Sequence, residues 1–142
     1  CADLFAGSGA QGLEALSRGA EHCDFVDCTN AALAQVRNHL MAFEALGRGS
    51  CHAVSAQQFL QAAGSPYDVA FVDPPFKLQL VEPVCAALAQ KQLLREDALV
   101  YVEMGATEPL PGIPSTWSLY REKVSGGVVY RLFRVCRTAN SC

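Results

Sequence analysis

Residues 72–76 read VDPPF. The apolar run VAFV ends on an acid, two prolines and an aromatic ring. Proline lacks the N–H that a strand ladder uses, so the strand stops at Asp73 and a rigid loop follows. An acid beside a fixed backbone carbonyl suits the task of holding an amine on a flat base. Such an amine is a weak nucleophile, because its lone pair is delocalised into the ring. The Asp73 carboxylate and the Pro74 carbonyl would accept its two hydrogens, orient it and raise electron density on nitrogen. Pro75 and Phe76 would flank the base, and a Phe face is worth on the order of 1–3 kcal/mol per stacked base. For DPP alone, a rigid turn whose Phe plugs the core is the plain alternative.

A second set of residues lies at the start. DLFAGSGAQG places Gly7, Gly9 and Gly12 in a GxGxxG spacing, after a strand and at the mouth of a helix. Asp27 follows about 20 residues later, where an acid that binds ribose belongs. Both a dinucleotide and S-adenosylmethionine fit this much. Asp3 chooses between them. A carboxylate just before the glycines repels a pyrophosphate and suits an ammonium, directly or through water. The plain alternatives are that Asp3 only binds the loop amides and that Asp27 only caps the helix beyond Thr29.

Composition narrows the remaining classes. Half of the 142 residues are apolar, which suits one domain, 1–142, with a real core. No apolar run reaches the roughly 18 residues of a membrane span. Seven cysteines are an odd number for a disulfide framework, and His22, His39 and His52 show no ligand spacing. Reduced thiols in a cytoplasmic protein without a metal are expected. No cysteine stands in a nucleophile motif. From Trp117 onward five cations face one anion, a balance of +4, so the preceding residues carry −7 of the net −3. Arg121 and Lys123 in that basic tail could meet phosphate, although a solvated hairpin would look the same. Cys1 stands inside a strand, CADLF, so an N-terminal segment is expected to be missing.

The elements that must position these residues alternate. Strands are expected at CADLF, CDFVD, CHAV, YDVAFVD and ALVYVEM, with helices between them. The helices are Ala10–Arg18 ending at Gly19; one capped by Thr29 or Asn30 with Leu33, Val36, Leu40 and Phe43 on one face; AQQFLQAA; and Leu80–Leu94. Alternation predicts a mostly parallel, Rossmann-like sheet with helices on both faces. Trp117–Lys123 and Val128–Val135 then form a hairpin around Ser125-Gly126-Gly127, after a proline-rich surface connection, EPLPGIP.

DLFAGSGAQGLEALSRGA, VDPPF, ALVYVE and WSLYREKVSGGVVYRLF resemble the bacterial small-subunit ribosomal RNA guanine-N2 methyltransferases of the RsmD type, from Cys1 to about Val135. The resemblance implies a seven-strand class I methyltransferase sheet and transfer of a methyl group from S-adenosylmethionine to N2 of a guanine. By motif position Asp3, Phe5, Ala6, Gly7, Ser8 and Gly9 would hold the methionine end, Asp27 with Cys28 the ribose, and Ala56 with Gln57 the adenine region. Asp73, Pro74 and Phe76 would hold the target base. It also implies a cytoplasmic monomer acting on ribosomal RNA in assembling small subunits. Three departures stand out: Asp27 replaces the more usual Glu, Ser55 stands where Asn or Asp often meets the adenine, and the family's basic N-terminal segment has no counterpart. N6 of adenine remains an alternative target. An NAD-dependent oxidoreductase and a non-catalytic cofactor-binding fragment remain alternative functions.

Overall fold

Strand and helix alternate through the first 90 residues of the computed structural model, which describes residues 1–75, 79–108 and 111–136. In chain order they are β1 (Ala2–Asp3), α1 (Ala10–Ser17), β2 (Cys23–Val26), α2 (Asn30–Ala42), β3 (Gly49–His52), α3 (Ala56–Ala62), β4 (Tyr67–Val72) and α4 (Val81–Gln90). A single 3-10 turn, Leu46–Arg48, leads into β3. Three strands then follow without a helix among the described residues: β5 (Leu94–Gly105), β6 (Trp117–Ser125) and β7 (Val128–Val135). They make the expected seven-strand, Rossmann-like sheet, mostly parallel with an antiparallel C-terminal pair.

The chain divides into two compact units, Cys1–Ala63 and Gly64–Cys142. In the first, β1, β2 and β3 run parallel, with β2 in the middle. Cys23 and Phe25 of β2 pack with Leu16 of α1 and with Leu33, Val36 and Leu40 of α2. Side-chain alternation puts Cys23 and Phe25 on one face of the strand. The Thr29 hydroxyl caps α2 by accepting from the Ala32 N–H, one of the orphan donors of a helix start. Ser55 and Gln58 form a reciprocal capping box on α3.

In the second unit β4 and β5 are parallel, and β7 runs antiparallel between β5 and β6. Val81, Val84, Cys85 and Leu88 of α4 are buried, as are Ala70 and Val72 of β4 and Val100 and Val102 of β5. The β6–β7 turn uses Gly126 at φ 58° and Gly127 at φ 82°. Two successive left-handed residues match the twist of a tight hairpin, and only glycine adopts them without strain.

The structure corrects several expected boundaries. The third strand is Gly49–His52 rather than Cys51–Val54, because these four residues are the ones that pair with Cys23–Val26 of β2. Phe43 is not on the apolar face of α2. The helix ends at Ala42, and Phe43 caps it with 72% of its surface exposed. Helix α4 ends at Gln90, not Leu94. Gln92 turns left-handed (φ 53°), and the Leu93 N–H returns to the Leu88 carbonyl. Leu94 thus opens β5 opposite Tyr67, and pairing resumes at Val69↔Leu99 after a bulge. Asp97, at φ 66° within that bulge, pairs with Arg134. Cys136 is disulfide-bonded, whereas Cys1, Cys23, Cys28, Cys51 and Cys85 are free thiols. No described helix is long and apolar enough to cross a membrane.

Candidate active site

The glycine turn of the first unit is tied down from both strands. The Ala6 N–H donates to the Val26 carbonyl at 2.8 Å, which lays the turn along β2. The Gly7 N–H donates to Asp27 Oδ2 at 2.9 Å. Asp27 Oδ1 accepts from the Thr29 N–H (2.9 Å) and the Thr29 hydroxyl (3.0 Å). One carboxylate therefore fixes the glycine loop and the start of α2 together, and Oδ2 keeps a lone pair for a further donor. Gly7 (φ 55°) faces open space, so a Cβ there would meet nothing within 4 Å. Gly12 is the opposite case: a Cβ would run into Phe25 and Cys23, which brings α1 close to β2.

Asp3 lies behind this turn with 1% of its surface exposed. Its Oδ2 accepts from the Gly12 N–H at 3.1 Å. Its Oδ1 is buried without a hydrogen-bond partner. Burial pushes the carboxyl up to about 6, the Gly12 N–H opposes the shift, and the Asp27 charge adds to it. A buried carboxylate oxygen left unpaired is costly, and such a site calls for a cation or a donor to complete it. Phe5 is half-buried, Ala6 buried, and Ser8 and Cys28 lie at the surface. Ala56 is buried and Gln57 exposed at the start of α3. The Ser55 hydroxyl is committed to its capping box through the Gln58 N–H.

In the second unit β4 ends at Val72, as the prolines require. Asp73 is half-buried, Pro74 buried and Pro75 exposed. Phe76 lies outside the described residues. Pro74 and Pro75 border a pocket with Val81, Met104 and Pro111. Two glutamates secure the connection after β5. Glu108 accepts from the Gly105 N–H at 2.5 Å, and Glu82 of α4 accepts from the Gly112 N–H at 2.9 Å. Neither acid belongs to a recognisable motif, and sequence reading missed both.

Arg121 and Lys123 share a groove with Tyr101, Tyr130 and Leu132. The two tyrosines were not singled out from the sequence. Their signal was present in the alternation of β5 and β7, which places them on one face of the sheet. Burial first, then the charges of Glu103, Tyr130 and Asp73, pushes the Tyr101 phenol up to about 12. Burial also pushes the Cys23 and Cys85 thiols up to about 12, which keeps them protonated and unreactive at neutral pH. Among the described residues no group of His, Cys, Asp and Glu is placed to hold a metal ion.

A glycine turn after the first strand, an acid–proline–proline turn after the fourth and an antiparallel closing pair define the class of Rossmann-like methyltransferases. The family model described as conserved hypothetical protein 95 matches residues 1–134. The chain belongs to that family, the RsmD type that its motifs resemble. It is 42% identical over 134 residues to "Ribosomal RNA small subunit methyltransferase D" of Escherichia coli strain K12, covering 94% of this chain and 67% of the relative. The Haemophilus influenzae protein of the same name is 36% identical over 137 residues, covering 94% and 70%. Among solved structures, "Putative methyltransferase yhhF" of Escherichia coli superposes with a TM-score of 0.91 at 40% identity, covering 97% of this chain and 77% of that one.

Proposed function

We propose that this chain transfers the methyl group of S-adenosylmethionine to N2 of a guanine in small-subunit ribosomal RNA, in the cytoplasm. The observation that carries the cofactor assignment is the buried, unpartnered Oδ1 of Asp3 behind the glycine turn. A pyrophosphate would meet an uncompensated negative charge there, so a nicotinamide dinucleotide fits poorly. The ammonium of a methionine group would complete the site. The open space above Gly7 leaves room for a ligand to approach the backbone. The target assignment is supported by the shared name of the Escherichia coli and Haemophilus relatives.

When bound, S-adenosylmethionine supplies a methyl group activated by a positively charged sulfur. The chain's own residues then have separable tasks. Asp3 pairs with the ammonium, and Asp27 offers its remaining Oδ2 lone pair to the ribose while it holds Gly7. Ala56 and Gln57 border the adenine. The Asp73 carboxylate and Pro74 carbonyl take the two hydrogens of the base amine, and Phe76 stacks on the ring. Rigid prolines keep these acceptors in place before the base arrives, so little reorganisation is needed during transfer. The high thiol values of Cys23 and Cys85 disfavour a covalent cysteine adduct.

The test is methyl transfer from labelled cofactor to under-methylated small-subunit particles, followed by nucleoside analysis. Label in N2-methylguanosine supports the proposal. Label in N6-methyladenosine would move the target to the other amine that an acid–proline–proline loop can hold.

A further inference from the structure

We propose that the sheet face carrying Tyr101 and Tyr130, bordered by Arg121 and Lys123, is a stacking platform for unpaired RNA flanking the target base. The proposal rests on the methyltransferase reading above and extends it to a surface that the motifs do not include.

Side-chain alternation sorts the second unit into two faces. Ala70, Val72, Val100 and Val102 are fully buried or nearly so. Phe71, Tyr101 and Tyr130 project the other way and are only half-buried. The rings of Phe71 and Tyr101 lie 6.1 Å apart, and those of Tyr101 and Tyr130 6.3 Å apart. Three aromatic side chains therefore cross three neighbouring strands, β4, β5 and β7. Tyr101 and Tyr130 line an open groove of about 620 Å³, inside the usual range of roughly 300–1,000 Å³ for a ligand site.

Charge selects the occupant. Four described hairpin cations fall into two pairs. Arg131 is neutralised by Glu122 at 2.9 Å and Arg134 by Asp97 at 2.7 Å. Arg121 and Lys123 have no carboxylate partner among the described residues, and both line the groove. In register, Lys123 stands beside Tyr130 and Arg121 beside Leu132. Glu103, on the other side of Tyr130, is the anion of that row. Phosphates are thus expected along β6 and bases over the rings of β5 and β7. Aromatic residues on adjacent strands with cations at the margin form a platform that reads splayed, single-stranded bases. A purely apolar partner would leave Lys123 without a counter-charge and Arg121 with only the Tyr120 ring, 5.2 Å from its guanidinium. Phe71, whose ring lies 6.1 Å from that of Tyr101, stands two residues before Asp73, so the groove begins beside the loop assigned to the target base.

The test is fluorescence anisotropy of the full chain with a short unpaired oligoribonucleotide and with the same sequence as a duplex. The unpaired strand should bind more tightly. Tyr130→Leu, which keeps apolar bulk but loses the ring, should weaken binding by roughly ten-fold, and Tyr130→Phe should restore it. The double variant Arg121→Gln/Lys123→Gln should lower the slope of log affinity against log salt by about 1.4, two single-strand phosphate contacts at about 0.7 each. An unchanged slope, equal binding by Tyr130→Leu and wild type, or preference for the duplex would overturn the proposal. Calorimetric binding of S-adenosylmethionine by the same samples separates two kinds of failure. Cofactor binding with RNA affinity insensitive to these changes sinks the platform alone, whereas no cofactor binding sinks the methyltransferase reading.

Discussion

Asp3 is kept ionisable in a place that penalises its charge. Its carboxyl titrates at about 6 in the fold against an ordinary 3.8. The folded state then holds the proton more tightly than the unfolded chain does. The associated stability is present at low pH and is lost as pH rises from about 4 through about 6, by roughly 2–3 kcal/mol at most. Asp3→Asn should abolish this dependence. Denaturant melts of both proteins should show the variant gaining on wild type across that interval. A constant difference from pH 4 to 7 would mean that Asp3 carries no burial penalty. Asp27 is held by three hydrogen bonds. Asp27→Ala removes charge-assisted bonds of on the order of 1.5–3 kcal/mol each, so S-adenosylmethionine affinity should fall ten-fold or more. Affinity equal to wild type in a folded Asp27→Ala protein would reduce Asp27 to a cap of α2. Asp73→Ala should abolish methyl transfer and leave calorimetric cofactor binding in place; retained turnover would reject its assigned role.

At the scale of elements, two glycines of one motif should fail in different ways. Gly12→Ala drives a methyl group into Phe25 and Cys23, and overpacking of that kind costs about 1–3 kcal/mol. Gly7→Ala meets open space but forces a left-handed alanine, about 1–2 kcal/mol. Thermal melts and cofactor titrations should show Gly12→Ala losing stability first, and Gly7→Ala losing affinity out of proportion to its stability. The helix starts were legible in the sequence because capping chemistry is local: Thr29 and Ser55 each satisfy an N–H three residues away. The hairpin was legible because two adjacent glycines leave few other options. The end of α4 and the start of β5 were not. KQLL continues an apolar helical pattern, and the left-handed turn at Gln92 that stops it, like the pairing of Leu94 with Tyr67, 27 residues earlier, has no glycine or proline to announce it. Phe43 misled for a related reason: it keeps the spacing of Leu33, Val36 and Leu40 but falls one residue beyond the helix. In the candidate site the acids were readable from position, while Glu82 gains meaning only from Gly112, 30 residues away, and the two tyrosines only from the pairing of β5 with β7.

At the scale of the molecule, the two compact units divide the proposed labour. The cofactor residues Asp3 to Gly9, Asp27, Ala56 and Gln57 all fall within Cys1–Ala63, and Asp73, Pro74, Arg121 and Lys123 within Gly64–Cys142. Hydrogen exchange should report this division: S-adenosylmethionine should protect amides around Gly7, Gly9 and Thr29, and unpaired RNA those around Tyr101 and Tyr130. Protection by cofactor confined to the second unit would contradict the assignment. Side-by-side calorimetric titration decides whether this Rossmann-like sheet holds S-adenosylmethionine, as proposed, or a dinucleotide. S-adenosylmethionine or its demethylated product should bind saturably, at least ten-fold more weakly in Asp27→Ala, and NAD should show no measurable binding. NAD binding more tightly than either methionine compound would contradict that assignment.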